Sequence, residues 1–432
     1  MEEAILKRAE AKRKESLDFL TGLVSTDTSN EDMGAYGREL NGQKIIIGKL
    51  EEMGAELDIF EPDYGRIKKY REASPGHDYK DRPNVVGVFR GAGGGRSLII
   101  NGHIDTVPCG SPEEWISHPL QPVVRDGRLY GRGTCDMKGG LAAAVMALEA
   151  VRDSGVKLKG DVILQSVVDE EGGGNGTLAC CERGYTADAA IIPEPTQLQL
   201  MPAHMGWLFY KIEFRGRALH CAYKWKGVNA IEKCMKLMQA MQELERTWAV
   251  EKRHPYLPPP TISFGTIHGG TSGSVVPDKC TLDMSVHYLP CKVDGEWMGE
   301  KVEKEFLHVV ENVANSDDWL RENPPVVTLY QLGSGYDIGT GHPIIECVRR
   351  NAAKVKGGPP FLRGLESGAD ARLLTNYADT PTLIFGPGNI ENAHSINEFI
   401  DLEQYYEAIK ILALAIVDWC GSVPGEGKEG ET

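Results

Sequence analysis

Apolar positions in the first half of the chain recur with two periods, one helical and one extended. Helical spacing predicts helices at residues 4–25, 36–54 and 141–151. Strands are also predicted at residues 56–60 and 84–89. Short apolar runs at residues 98–103, 161–168 and 189–192 predict strands that are buried on both faces. This succession of helices and buried strands predicts an α/β domain built on a mixed sheet.

The pattern changes near residue 204. Residues 207–215 alternate between apolar and polar side chains, which predicts a strand with one buried face. The elements predicted after it are a helix at 227–249, strands at 261–267 and 279–289, a helix at 299–315 and a strand at 326–332. This order indicates a small α+β layer of the ferredoxin-like type.

The α/β pattern then returns, so the smaller layer interrupts the larger domain. The later elements are predicted helices at 343–356, 369–376 and 402–419 and a strand at 382–385. We therefore predict one domain made of residues 1–203 and 337–420 and an inserted domain of residues 204–336. Residues 421–432 are rich in Gly and Glu and are predicted to be disordered.

The sequence predicts the structure of two connections between the strands. Residues 64–82 are polar and irregular, which predicts an excursion over the surface. The glycine-rich stretch Gly91–Gly95 has no Lys-Ser or Lys-Thr after it and no helix begins there, so it does not fit a phosphate-binding loop. We predict a hairpin turn at this point.

The net charge excludes some classes of binding partner, and the cysteine content predicts the cellular compartment. A formal net charge of -15 argues against nucleic acid or an anionic membrane as a partner. No apolar run approaches the length of a membrane span, and the charged N-terminal segment lacks a signal peptide's apolar core. The ten cysteines follow no disulfide or metal-finger spacing, which predicts a cytoplasmic protein with reduced thiols.

Candidate chemistry begins where the third predicted strand ends. His103 and Asp105 follow this strand, and positions i and i+2 of an extended chain point to the same side. The carboxyl end of a strand is where open α/β sheets place their sites. A histidine beside an acid suits a metal, because one ring nitrogen binds the ion while the acid holds the other. A polar turn with satisfied hydrogen bonds explains the same pair equally simply.

Further candidate ligands stand at the ends of other predicted elements. Taken singly, each has a plain alternative, such as a helix cap, an exposed acidic loop or a turn glutamate. Together, two imidazoles and three carboxylates suit a pair of zinc or similar divalent ions, the candidates being His103, Asp136, Glu171, Glu194 and His394. A central Asp136 would bridge the ions. Glu170 is left over beside a ligand and is the candidate general base.

Six motifs resemble one enzyme family over about residues 15–420. They are GHIDTVP (102–108), GRGTCDMKGG (131–140), DEEGG (169–173), EPT (194–196), GRALHCA (216–222) and GPGNIENAHSINEF (386–399). The chain resembles the di-zinc acetylornithine deacetylase, succinyl-diaminopimelate desuccinylase and aminoacylase family, which includes some carboxypeptidases and dipeptidases. The resemblance implies a di-zinc exopeptidase-like catalytic domain interrupted by a lid domain that often forms a dimer.

The resemblance also implies roles for individual residues. It puts His103 and Glu194 on one ion and Glu171 and His394 on the other, with Asp136 bridging the two.

Four further positions take their roles from the same resemblance. Asp105 would orient His103, and Glu170 would carry protons. His220, in the lid, would reach the substrate carbonyl of the partner subunit in a homodimer. The Asp136–Met137 peptide bond is expected to be cis.

The chain departs from this pattern at two positions that hold substrate in the family. Ser274 stands where the family usually has Asn, and His287 where an Arg often follows on the next lid strand. Arg372 is the alternative candidate for a clamp on a substrate carboxylate. A salt bridge on a helix surface explains Arg372 equally well.

These residues predict a metal-dependent amidohydrolase that removes an acetyl, formyl or succinyl type of acyl group from an N-acyl amino acid or related amine. Its cofactors would be two divalent ions, with Zn²⁺ as the first candidate and Co²⁺ or Mn²⁺ as alternatives. Glu170 would take a proton from water and return it to the leaving amine, while His220 steadies the oxyanion. The alternatives are a dipeptidase or carboxypeptidase of the same family and a non-catalytic binding protein on the same fold.

Overall fold

The chain forms two compact units, as described by a computed structural model that covers residues 1–290, 292–293 and 296–423. The described residues of the first unit lie within 1–202, 338–363 and 369–423, and those of the inserted unit lie within 203–337 and 364–368. Most of the segment predicted to be disordered, residues 424–432, lies outside the described residues. Among the helices described, none combines the length and the apolar character that a membrane crossing requires.

A six-stranded mixed sheet forms the centre of the first unit. Its strands follow each other in space in the order Thr382–Ile384, Ala189–Ile192, Leu98–His103, Val162–Val167, Asn84–Phe89 and Glu56–Phe60. The first four strands run parallel, and the last two are antiparallel to their neighbours. All six residues of Leu98–His103 are buried, as expected for a strand covered on both faces.

Helices pack on this sheet and carry most of the apolar core. Nearly every residue of Lys138–Asp153 and most of Leu402–Cys420 are buried, which explains their high apolar content on all sides. The other helices of the unit are Glu2–Ala11, Arg13–Val24, Leu40–Glu52, Tyr64–Ile67, Asn175–Glu182, Pro343–Lys356 and Ala371–Tyr377. Short strands at Val123–Arg125, Arg128–Tyr130 and Phe399–Asp401 form a separate sheet.

The structure corrects the single helix predicted over residues 4–25. Two helices replace it, and they meet at Lys12, whose backbone angles are φ -94° and ψ 10°. The Lys12 Nζ atom lies 3.0 Å from Glu149 and 2.9 Å from Asp153. The break therefore coincides with a lysine that pairs with acids on a neighbouring helix.

The predicted hairpin at Gly91–Gly95 is wrong. Strand Val162–Val167 lies between the two strands that this turn connects, so they do not pair. The turn instead crosses the beginning of that intervening strand, because the amides of Ala92 and Gly93 donate to the carbonyls of residues 158 and 159. A Cβ atom on Gly95 would lie 2.0 Å from the carbonyl oxygen of residue 420. The glycine therefore permits close backbone packing in place of a tight hairpin.

The polar composition of residues 64–82 predicts a surface excursion, and this prediction is wrong in part, because several side chains of the segment are buried. Ile67, Glu72, Tyr79 and Arg82 are all buried. The Arg82 guanidinium donates to both carboxylate oxygens of Glu39, which is also buried. Buried charges of this kind need partners, so the segment is fixed to the body of the unit at specific points.

The inserted unit has the predicted ferredoxin-like order of elements. Its antiparallel sheet contains, in spatial order, Thr261–Gly269, Lys279–Tyr288, Gly206–Arg215 and Val326–Gly333, with helices Ala230–Glu251 and Met298–Asn315. Alternate residues of Gly206–Arg215 are buried, and Tyr210 stacks on Phe306 with ring centroids 4.1 Å apart. The first helix begins three residues later than predicted because Asn229 caps it, accepting from the amide of Ile231 at 2.9 Å.

Candidate active site

The candidate residues of the first unit collect at one edge of the central sheet. His103 is the last residue of its strand and pairs with Val167 of the neighbouring strand, just before the loop that carries Glu170 and Glu171. Glu194 follows the strand on the other side. Adjacent parallel strands end at the same edge of a sheet, which is why residues far apart in sequence meet here.

Asp136 lies between the two candidate histidines. Its Oδ1 atom is 3.0 Å from His103 Nε2, and its Oδ2 atom is 3.3 Å from His394 Nε2. The His103 Nε2 atom also lies 3.7 Å from Glu194, and His394 Nε2 lies 3.0 Å from Glu171. Asp136 thus divides the group into two halves, each with one imidazole and one further carboxylate.

Three of these residues already satisfy the geometry of a metal-binding group. Ligand atoms of His103, Asp136 and Glu171 all lie within 4.8 Å of one another. Most of the group is secluded, since His103 and Asp136 are buried, whereas the His394 side chain is 52% exposed. His394 is therefore the member of this group that solvent reaches most easily.

The backbone carbonyl of Asp105 makes the closest contact with the second ring nitrogen of His103. This nitrogen, Nδ1, lies 2.9 Å from that carbonyl and 3.6 Å from the Asp105 carboxylate. The carboxylate itself accepts from the amides of Glu170 and Glu171 at 3.2 and 3.1 Å, and from Asn30. Asp105 therefore links the histidine to the loop of the candidate base, a contact that the sequence does not reveal.

Glu398 fixes the loop that carries Asp136, and the sequence analysis did not single it out. Its buried carboxylate accepts from the amides of Gly133, Cys135 and Asp136 at 2.8 to 3.1 Å. Arg132 donates to the same carboxylate at 2.7 Å.

The Asp136–Met137 peptide bond is cis, which confirms the expectation.

Burial and neighbouring charges shift the pKa values of the ionisable groups at the site. Burial, followed by the charge of Asp136, raises the pKa of Glu171 to about 7. Burial and neighbouring carboxylates likewise raise the pKa of Glu170 and Glu194. Hydrogen bonds with Asp136 and then Glu171 raise the pKa of His394 to about 10.

These donors fit divalent metal ions. Several buried carboxylates repel one another in the absence of a cation, and a bound cation would remove that repulsion. Imidazole nitrogens and carboxylate oxygens are ligands that zinc and similar ions accept. The site therefore has the ligand types of a metal centre, and a bound cation would stabilise its buried carboxylates.

Comparison with known proteins decides the family. Residues 99–418 match the model of peptidase family M20/M25/M40. The chain belongs to this family. An N-formyl-4-amino-5-aminomethyl-2-methylpyrimidine deformylase from Bacillus subtilis is 32% identical over 440 residues, covering 96% of this chain and 97% of the relative. An acetylornithine deacetylase from Photorhabdus laumondii is 29% identical over 410 residues, covering 92% of each chain.

Solved structures share the fold of this M20 family chain. A metallo-carboxypeptidase from Sulfolobus solfataricus has a TM-score of 0.72 at 18% identity, covering 93% of this chain and 98% of its own. A dinuclear metal binding peptidase from Bacillus subtilis has a TM-score of 0.62 at 15% identity, covering 95% of this chain and 99% of its own. These likenesses confirm the predicted fold class.

Family membership confirms the resemblance seen in the motifs and the expected reaction class. The chain is an amidohydrolase of the M20 family, a hydrolase that acts on amide bonds. The family is dinuclear and metal-dependent, and the group of His103, Asp136 and Glu171 supplies a candidate site for such ions.

Arg372 lies in the first unit, where protein groups bind its guanidinium. It is 2% exposed, and its guanidinium donates to Glu72 at 2.7 Å, to the Ala369 carbonyl at 2.8 Å and to the Gly173 carbonyl at 3.1 Å. The expected alternative of an ion pair is therefore present, although it is buried and not on a helix surface. A role as a substrate clamp would require this pair to break.

The remaining candidates lie in the inserted unit of the M20 chain. His220 is exposed and caps the short helix Cys221–Lys226, accepting from the amide of Ala222 at 3.2 Å. Ser274 is exposed and its hydroxyl bonds to that of Ser272. His287 is partly buried, its ring centroid lies 6.3 Å from that of Phe209, and burial lowers its pKa. Burial therefore disfavours the charged form of the His287 imidazole.

Proposed function

We propose that this chain is a two-metal deacylase that removes a small acyl group of the formyl type from the amino group of a small molecule. The observation that carries the proposal is the position of Asp136 between two imidazoles, with Glu170 beside them. The relatives that match at 32% and 33% identity over 96% and 97% of this chain are named as deformylases of an aminomethylpyrimidine. The activity in the names of these relatives supports the choice of acyl group.

The ligand set suits two ions held at Asp136. His103 and Glu194 would hold one ion, His394 and Glu171 the other, and Zn²⁺ fits these donors best, with Co²⁺ or Mn²⁺ as alternatives. Bound there, the ions would acidify a water molecule and polarise an amide carbonyl.

Glu170 supplies the proton transfer in this proposal. One of its carboxylate oxygens lies 4.0 Å from His103 Nε2, so it borders the ligand set without forming part of the three-residue group. Glu170 accepts the proton of the attacking water and delivers it to the leaving amine nitrogen. The loop that carries it is fixed by Asp105, which keeps this side chain at the edge of the site.

The charges around the site favour an amine that carries no carboxylate group. Three buried arginines contact the loops of the site, and each is paired with a glutamate, the pairs being Arg82–Glu39, Arg132–Glu398 and Arg372–Glu72. Ser274 and His287 replace two residues that hold substrate in the family. A neutral or aromatic amine needs no cationic clamp, whereas a carboxylate without one would remain unpaired.

A substrate screen tests this choice. We expect kcat/KM for N-formyl-4-amino-5-aminomethyl-2-methylpyrimidine to exceed that for N-acetylornithine, N-succinyl-diaminopimelate and dipeptides by about 10²-fold or more, the usual penalty for an unpaired buried polar group. Discontinuous assays of amine release measure all four classes. A preference for N-acetylornithine would favour the second candidate, an amino-acid deacylase, which the relatives at 29% identity support. A preference for dipeptides would favour the peptidase alternative.

Assembly is a further part of the proposal. We propose a homodimer joined through residues 204–336, in which His220 reaches a substrate carbonyl of the partner subunit, as the resemblance implies. In a two-fold symmetric dimer both subunits use the same surface for the interface. Each subunit would therefore supply its His220 to the other.

Mixing two inactive variants tests the trans role of His220. The variant His220→Ala and the variant Glu170→Gln are each expected to lose activity while keeping their metals. A mixture that has exchanged subunits should regain part of the activity, because some heterodimers hold one intact composite site. Demonstrated subunit exchange with no recovery, or a strictly monomeric active protein in light scattering, would show that His220 does not act in trans.

The compartment proposed for the protein is the cytoplasm. Every cysteine in the described part of the chain is a free thiol. Reduced thiols of this kind are typical of a reducing compartment. Fractionation of cells that express a tagged copy tests the assignment, and recovery in an oxidising compartment would overturn it.

A further inference from the structure

The loop that carries Glu170 and Glu171 depends on the residue before them. Asp169 is fully buried, and its backbone has a φ of 66°, in the left-handed region that residues other than glycine seldom adopt. Such a conformation persists only where the surrounding structure holds it in place. The contacts of Asp169 therefore decide where the next two side chains begin.

Two side chains of the 64–82 segment hold the Asp169 carboxylate. The Tyr79 hydroxyl donates to Asp169 Oδ2 at 2.6 Å, and His77 Nδ1 lies 2.8 Å from the same oxygen. Tyr79 is 6% exposed and the His77 side chain 9% exposed. Buried hydrogen bonds to a carboxylate are stronger than exposed ones, so this pair restricts its orientation.

Tyr79 is itself anchored to the helix that follows the loop. Asn175, the first residue of that helix, donates from Nδ2 to the Tyr79 hydroxyl at 2.6 Å. The Asn175 side chain also exchanges hydrogen bonds with the backbone of Ser74, at 2.8 and 3.0 Å. The 64–82 segment thus contacts Asp169, where the loop begins, and Asn175, where the following helix begins.

Glycines let the neighbouring chain approach Asp169 closely. A Cβ atom on Gly34 would lie 2.2 Å from Asp169 Oδ1, and one on Gly172 would lie at the same distance. Real Cβ atoms do not approach an oxygen so closely. The carboxylate therefore has little space to turn. Tyr79 and His77 bind its Oδ2 atom, and the Arg82 guanidinium lies 3.5 Å from its Oδ1 atom.

Asp105 holds the same loop from the side of the ligands. Its carboxylate accepts from the amides of Glu170 and Glu171, immediately after Asp169. The loop is consequently held on two sides, by Asp105 and by the pair of His77 and Tyr79. Losing either set of contacts therefore removes the side-chain restraint on one side of three consecutive acidic residues.

We propose that His77 and Tyr79 are positioning residues for Glu170, acting through Asp169. The inference rests on the proposed role of Glu170 as the base. The two side chains keep the loop in its left-handed turn, so that the Glu170 carboxylate meets the attacking water in a productive orientation. Small displacements of a catalytic group are costly, because reaction rates depend steeply on its placement.

Hydrogen exchange of the metal-loaded protein tests the structural half of the proposal without substrate. In Tyr79→Phe, we expect the amides of residues 169–173 to exchange several-fold faster than in the original chain. Tyr185→Phe is the matched control, because Tyr185 also donates to an aspartate, Asp58, at 2.7 Å. Unchanged exchange in Tyr79→Phe, or equal acceleration of this loop in Tyr185→Phe, would overturn the proposal.

Kinetics test the catalytic half, with N-formyl-4-amino-5-aminomethyl-2-methylpyrimidine as the probe. We expect Tyr79→Phe to lower kcat by about 10–100-fold, with KM and metal content unchanged. In a Glu170→Gln background, the same substitution should have little further effect, because the group that it positions is gone. A full and additive loss in the double variant would show that Tyr79 acts by another route.

The outcomes separate this inference from the proposed function. If Glu170→Gln slows turnover and Tyr79→Phe does not, only the positioning role fails. If Glu170→Gln turns over normally, the proposed base fails, whatever the exchange data show. His77→Gln serves as the second variant should Tyr79→Phe fold poorly, and it is expected to give the same exchange and kcat changes.

Discussion

Replacing Glu170 by glutamine is expected to lower kcat by about 10²–10⁴-fold, the usual contribution of a general base. Glutamine keeps the size and hydrogen-bonding capacity of the side chain but does not accept the proton of a water molecule. The backbone contacts of the loop remain, since the Glu170 amide donates to Asp105 regardless of the side chain. Steady-state kinetics and metal analysis of the same preparation measure the effect.

A glutamate outside the site supplies the control for this variant. Glu113 is exposed in the short 3-10 helix Pro112–Glu114 of the first unit, and Glu113→Gln is expected to leave kcat and metal content unchanged. Turnover of Glu170→Gln close to that of Glu113→Gln would remove Glu170 from the mechanism.

Removing the central carboxylate should have an even larger effect. In Asp136→Ala both imidazoles lose the carboxylate that lies between them, at 3.0 Å from His103 and 3.3 Å from His394. We expect metal content to fall steeply and turnover to drop by about 10³-fold or more, because the several kcal/mol that bound cations contribute to the transition state are lost. Elemental analysis after gel filtration, together with the amide-cleavage assay, measures both quantities.

Asp318→Ala is the control for the loss of an aspartate. Its side chain is 99% exposed on the inserted unit, so metal content and turnover should stay as in the original chain. An Asp136→Ala protein that keeps its ions and its activity would contradict the bridging position assigned to Asp136.

The sequence predicts the elements of this fold better than their pairing. Strands Asn84–Phe89 and Ala189–Ile192 have the predicted bounds, because each is a short apolar run that is buried on both faces. The hairpin at Gly91–Gly95 fails because a glycine-rich turn does not reveal which backbone it will pack against. Pairing depends on contacts between distant residues, and local periodicity carries no record of them.

In the candidate site, too, the sequence predicts individual residues better than the contacts between them. His103, Asp136 and His394 stand at the ends of predicted elements or in motifs, and the structure brings them together at one edge of the sheet. Glu398 was missed, since its contacts with the Asp136 loop join residues 262 positions apart. The buried partner of Arg372 is Glu72, 300 positions away, and no local pattern indicates it.

The role of Asp169 could have been suspected from the sequence. It begins the run of three acids that includes Glu170 and Glu171, and a buried acid in such a run needs partners. The partners themselves, His77 and Tyr79, lie in a segment whose polar composition predicted only a surface excursion. Composition alone does not distinguish a polar segment that is solvated from one that binds the buried acids of a site.

Reconstitution with metal tests the central claim most directly. The protein is stripped of metal with a chelator and titrated with Zn²⁺, while bound metal and cleavage of the N-formyl amine are measured on the same samples. The account predicts no cleavage by the stripped protein, binding that saturates at two ions per chain and turnover that rises with occupancy. Cleavage of the amide at the full rate by the metal-free chain would contradict it.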